Sequence, residues 1–99
     1  MKVHVSVELN CGDKWLATAA CDVVLPAVPQ VGHHMNWPEF EDSVVEMVWW
    51  DVGNTPTVTV ILEDSHFDCL ESVASTIIGL RDEGWTVAES GAYFEALKH

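Results

Sequence analysis

Thr57-Val58-Thr59-Val60-Ile61-Leu62-Glu63-Asp64-Ser65-His66-Phe67-Asp68-Cys69-Leu70-Glu71-Ser72-Val73-Ala74 changes its apolar period once, and that change sets the fold class. Up to Glu63, Val58, Val60 and Leu62 alternate with Thr57, Thr59 and Glu63, the period of two by which a strand buries one face. Beyond it, Phe67, Cys69, Leu70, Val73, Ala74, Ile77, Ile78 and Leu80 fill one half of a helical wheel, and Gly84 supplies a stop. Ser65 with Asp68 three residues on has capping-box spacing, so the helix is expected over residues 65–83. A strand leading into a helix wide enough to cover a sheet predicts an α+β fold.

Working outward, Val3, Val5, Val7 and Leu9 alternate with Lys2, His4, Ser6 and Glu8 as a half-buried strand. Asn10-Cys11-Gly12-Asp13 has turn chemistry, and Trp15 to Leu25 reads as its antiparallel partner, although the Ala-rich middle also permits a helix. Pro26 and Pro29 end that element, and Val28 to Asp42, with Gly32 and Pro38, is a long connection. Val44 to Val52 is a third strand: Val44, Val48, Trp50 and Val52 share one face, Val45, Met47 and Trp49 the other. Gly53-Asn54-Thr55-Pro56 joins it to residues 57–63 as a second hairpin. Residues 85–89 return as an edge strand, and Ser90-Gly91 opens a short helix anchored by Tyr93, Phe94 and Leu97. The expectation is one α+β domain over 1–99, an antiparallel sheet of four to five strands with one amphipathic helix packed on a face. A partly closed barrel with the helix across its mouth is the alternative.

Charge and cysteine usage bound the function. Sixteen Asp and Glu against four Lys and Arg give a net charge of −12, which repels phosphate backbones and anionic lipid alike, so neither nucleic acid nor membrane is expected as a partner. The alternating start is unlike a signal peptide, and no run approaches the roughly 18 apolar residues of a membrane span, so a cytoplasmic location is expected. Cys11, Cys21 and Cys69 are odd in number and lack C-x-x-C spacing, giving no disulfide framework or zinc ribbon, and buried or reduced thiols are expected, with Cys69 buried at the edge of the apolar stripe. The acidic excess also suits a salty environment, where counterions screen self-repulsion.

No motif specifies a reaction, and no catalytic residue, metal or cofactor is assigned. His33 and His34 lie beside Met35, Trp37, Glu39, Glu41 and Asp42, but adjacent histidines fit no standard metal spacing. An enzymatic reading rests only on those histidines with Glu39 and Glu41 as acid and base groups. Asp64-Ser65-His66 holds the residue types of a hydrolytic triad, yet consecutive residues cannot orient one another, and helix capping accounts for them. The five tryptophans carry more information. Trp49 and Trp50 face opposite sides of a strand, so one is expected in the helix-covered core and the other needs a second cover. That cover is the long loop with Trp37, a small molecule or another subunit, which makes His33, His34, Trp37, Trp49 and Trp50 the candidate ligand-binding residues. Self-association is expected through the two-faced third strand, with Trp50, or through the strip of small residues Ser72, Ser75, Thr76 and Gly79.

Leu25-Pro26 through Pro29, Val31-Gly32, then Val44-Val45, Val48, Trp50 and the alternating Val58, Val60 and Leu62 form a pattern over under half the chain. It resembles small uncharacterised bacterial proteins of the mobile integron gene-cassette type, with His33 where an acidic residue is frequent. The resemblance implies a compact α+β or related fold and homo-oligomers, and transfers no catalytic residue. Two functions follow as expectations: a cytoplasmic homo-oligomeric binding protein with an aromatic-lined small-molecule pocket, or an acidic interaction module that antagonises a basic partner protein.

Overall fold

The computed structural model describes residues 2–37, 43–53 and 57–98. Strand β1 (Lys2–Cys11) pairs antiparallel with β2 (Lys14–Val24), as alternation and turn chemistry predict. Its other edge takes β5 (Thr57–Leu62) and then β6 (Ser65–Phe67), both parallel to it, so that Glu63 and Asp64 merely interrupt one long ribbon alongside β1. A two-residue β3 (His34–Met35) pairs with β4 (Ser43–Asp51), β4 with β5, and β7 (Thr86–Glu89) with β2. Among the described residues the sheet therefore has seven strands in the order β3-β4-β5-β1-β2-β7, with β6 beside β1.

The α+β class holds, and the sheet corrects the expectation of four to five antiparallel strands. It is mixed, because the second hairpin docks through β5 on the free edge of β1. That places Val3, Val5, Val7 and Leu9 at the centre of the sheet, each fully buried. Both β5 and β6 lie parallel to β1, so a crossover is needed to reach β7, and the helix provides it.

Helix α1 (Leu70–Asp82) is shorter than the sequence suggests. Ser65–Phe67 pairs with Leu9–Cys11 instead of starting the helix, and Cys69 is the N-cap, with no side-chain cap bond. Cys69 is consequently exposed, where the sequence predicts burial. Val73, Ile77 and Leu80 press onto the sheet, each burial stabilising the fold by about 1.5–3 kcal/mol, whereas Ile78 points outward at 64% exposure. The helix end is closed by Trp85 N–H to Leu80 C=O (2.9 Å) and Gly84 N–H to Arg81 C=O (3.1 Å), a pattern that requires the φ of +93° found at Gly84. Arg81 then ties the helix to β7 through Val87 C=O (3.0 Å) and Glu89 (2.7 Å).

The register sorts the side chains into two faces. The covered face carries Val5, Val60 and Cys21 in one row, and the open face carries His4, Thr59, Asp22 and Trp49 in the next. A bulge in β4 between Val45 and Met47 changes the alternation read from sequence: Val45, opposite Leu62, and Val48, opposite Val60, share the covered face although three residues apart. Helix α2 (Gly91–Leu97) packs on β2, with Ser90 Oγ accepting from Tyr93 N–H and Tyr93 buried. Among the described residues no helix is long and apolar enough to cross a membrane.

Candidate functional site

Strand β2 outruns its neighbour. Its pairing with β7 ends at Ala20, opposite Thr86, while β2 continues to Val24. Beside this overhang the chain leaves α1 through Glu83, Gly84 and Trp85, and the long loop returns with Trp37. The result is a cleft of about 210 Å³ lined by Cys21, Asp22, Val23, Trp37, Glu83, Gly84 and Trp85. Trp37 and Trp85 meet edge to face, with ring centroids 5.1 Å apart at 74°. Trp85 is buried as part of the core, so it is a fixed wall, whereas Trp37 is half-buried and lies on the loop.

On the open side of the same overhang, His4, Ala20, Cys21, Asp22, Gly84 and Thr86 border a second hollow of about 430 Å³. Here His4 Nδ1 lies 2.9 Å from Asp22 Oδ1 and Lys2 Nζ lies 3.6 Å from Oδ2. The hydrogen bond with His4, aided by the charge of Lys2 and opposed by desolvation, holds the Asp22 carboxyl below its ordinary pKa. Asp22 is therefore an anion at neutral pH, and both hollows have an acidic wall. A third hollow, about 350 Å³, opens at the β4 bulge between Glu46, Glu63, Asp64 and His66, where Asn10 Nδ2 donates to Asp64 (2.8 Å).

Of the residues expected to bind a ligand, the structure places only Trp37 in the aromatic cleft. It meets Trp85 and not Trp49 or Trp50. His33 closes a turn: its N–H donates to Gln30 C=O (3.0 Å) and its Nδ1 accepts from Gln30 N–H (3.1 Å). His34 belongs to β3, and both histidines are exposed. Trp49 and Trp50 do face opposite sides of β4, but both are exposed, at 60% and 57%, because α1 reaches β6, β1 and β7 and not this end of the sheet. On α1, Ser72 and Ser75 are exposed and Thr76 and Gly79 half-buried. Glu39, Glu41 and Asp42, like the turn residues Asn54 to Pro56, lie outside the described residues.

Nothing in their local sequence marks Cys21, Asp22, Val23, Glu83 and Gly84 as cleft residues. The signal that could have found them is the length mismatch between a strand of 11 residues and an edge strand of 4, which leaves an overhang wherever they pair. Among the described residues no group of three or more His, Cys, Asp or Glu is arranged to hold a metal ion. Compared with protein-family models, with curated proteins and with solved structures, the chain gives no match.

Proposed function

We propose that this is a small acidic cytoplasmic protein that binds a small molecule in the Trp37–Trp85 cleft and assembles with copies of itself. The observation that carries the reading is the pair of indole rings, one from the loop and one from the helix exit, set edge to face over the overhang of β2. Concave sites with aromatic walls and few polar groups are where small ligands bind. With Asp22 and Glu83 on the rim, the cleft suits a compact ligand bearing a flat apolar part and a hydrogen-bond-donating or cationic group.

A thermal-shift screen of amines, amino acids, nucleosides and aromatic metabolites tests this, since a ligand at 100 times its Kd adds about 2.7 kcal/mol of stability. A hit is expected to quench tryptophan fluorescence and to be lost in Trp37→Ala. A silent screen, or a hit indifferent to Trp37→Ala, counts against the cleft.

The second reading, an acidic module for a basic partner protein, is favoured by the Glu46, Glu63, Asp64 notch on a chain of charge −12. Its test is binding of a polybasic peptide at low salt. Binding abolished by Glu63→Gln with Asp64→Asn supports it, and no binding at low salt ends it.

A further inference from the structure

The far edge of β4 breaks the rules by which natural sheets protect their edges. Among the described residues, β3 covers β4 only at Ser43 and Val44, and Gly32 and His33 bond the main chain of Val45. Beyond that point β4 runs on to Asp51 with no strand described on that side. Edge strands are ordinarily blunted by lysine, proline or inward charges. Met47-Val48-Trp49-Trp50 has none of these, and its large side chains are exposed at 42% for Met47, 60% for Trp49 and 57% for Trp50.

Main-chain direction can be assigned from Val45. Its N–H and C=O point away from β5, to His33 and Gly32 (2.9 Å each). In a strand of L-residues, side-chain face and main-chain direction are coupled, so residues on one face point their N–H and C=O the same way. Val48 and Trp50 share the covered face with Val45, by their register with Val60 and Val58. They therefore present two donors and two acceptors to the open edge, while Trp49 points its main chain to β5.

We infer that a second copy of the chain completes this edge, its β4 running antiparallel to the first with Trp49 opposite the partner's Trp49. Such pairing preserves the two faces of the sheet, so residues of one face must oppose each other, which leaves registers centred on Val48, Trp49 or Trp50. Centring on Val48 brings the partner's Asp51, still within the strand, against Val45, whose main chain is already bonded, whereas centring on Trp49 brings only the partner's Gly53, past the strand end, to that point. Centring on Trp50 sets Val48 against the partner's Val52, beyond the strand end, and leaves one hydrogen-bonded pair within the strands. Centring on Trp49 sets Val48 against the partner's Trp50 twice by symmetry and uses all of the open-edge donors and acceptors of Val48 and Trp50.

The same register opposes Glu46 to the partner's Val52 and Asp51 to the partner's Met47, so no two carboxylates meet. In a chain of charge −12, the uncharged Met47–Trp50 segment is where two copies approach without direct repulsion. Four tryptophans cluster about the twofold axis, two on each face, and the two sheets become one.

This inference rests on the self-association part of the proposed function, and its test separates the two. In a Cys69→Ser background, which removes the exposed thiol, Trp49→Cys is expected to form an intermolecular disulfide under mild oxidation, since Cα atoms in a non-hydrogen-bonded antiparallel pair lie about 4.5 Å apart. Thr59→Cys, on the same face one strand inward, is expected not to: three strand spacings separate the two copies by roughly 14 Å. Val48→Pro removes only an open-edge N–H and is expected to weaken the dimer on the order of tenfold to a hundredfold in sedimentation, while Gly79→Leu leaves it intact.

Cross-linking of the Thr59→Cys variant as readily as of the Trp49→Cys variant would mean packing face to face and overturns the inference. So does a dimer that is unmoved by Val48→Pro or dissociated by Gly79→Leu; in either case self-association survives and this interface does not. A wild-type chain that stays monomeric at every concentration reached removes both.

Discussion

At the β7 end of the sheet Val87 is 8% exposed, whereas at the β4 end Trp50, on the same face, is 57% exposed. Both residues are apolar and both strands lie toward an edge of the sheet. The difference is the crossover. A helix of 13 residues spans about 20 Å, and it is anchored at β6 and tied to β7 by Arg81, so it shields the β1 and β7 side and leaves the Met47–Asp51 end of β4 outside. Composition alone does not make a core; the same valines and tryptophans become buried core or exposed edge according to where one helix lands.

The largest test of this contrast is a pair of truncations. Leu80→Ala, fully buried on α1, is expected to cost about 2–5 kcal/mol in urea denaturation. Trp50→Ala, measured at dilution, should cost less than about 1 kcal/mol despite the larger side chain. Equal losses would erase the distinction. Next comes the exit of α1: Gly84→Ala should cost about 1–2 kcal/mol, because the φ of +93° is strained for an L-residue while nothing within 4 Å obstructs the added carbon. A neutral result would show that the helix end relaxes freely and that the covered half is not pinned there.

Smaller still is the link from Arg81 to Glu89. The hydrogen bond from Arg81 holds the Glu89 carboxyl below its ordinary value of 4.5. A carboxyl with a depressed folded pKa stabilises above its unfolded value, and that contribution is lost as pH falls through the folded one. Glu89→Gln should therefore cost about 1 kcal/mol or less at neutral pH, discounted because Arg81 is 47% exposed, and should flatten the decline below pH 4.5. An unchanged acid limb would show that the pair does not fasten the helix to β7. Least of all, Ile78→Ser should shift stability by less than about 0.5 kcal/mol, since Ile78 points to solvent from the outer side of α1.

What is legible in the sequence follows the physics of each segment. Alternation in β1 and β5 marks strands because each buries one face, and Gly84 marks the helix end because few other residues adopt its φ. Ser65 to Phe67 mislead because Ser65 and Asp68 have the spacing of a cap, while the choice between cap and strand is made by Leu9 to Cys11, more than 50 residues away. The bulge at Val45 to Met47 leaves no local mark, so strict alternation puts the faces of β4 one residue out of phase before Met47. The cleft is partly legible: Trp37 and Trp85 are each conspicuous, but their meeting depends on an overhang that only strand pairing reveals.

The central position of β1 also sets an order of events in time. Its pairing with β2 joins Val5 to Cys21, nearby in the chain, whereas its pairing with β5 joins Val5 to Val60. The first is a hairpin that closes in about 1–10 μs, and the second is a non-local parallel contact that comes slowly. At about 5–20 residues per second of synthesis, β1 waits roughly 3 to 11 s for β5 to follow it from the ribosome. During that interval the central strand of the sheet has one edge open. Refolding from denaturant is accordingly expected to give a fast hairpin phase and a slower docking phase, with aggregation rising in proportion to the time spent between them.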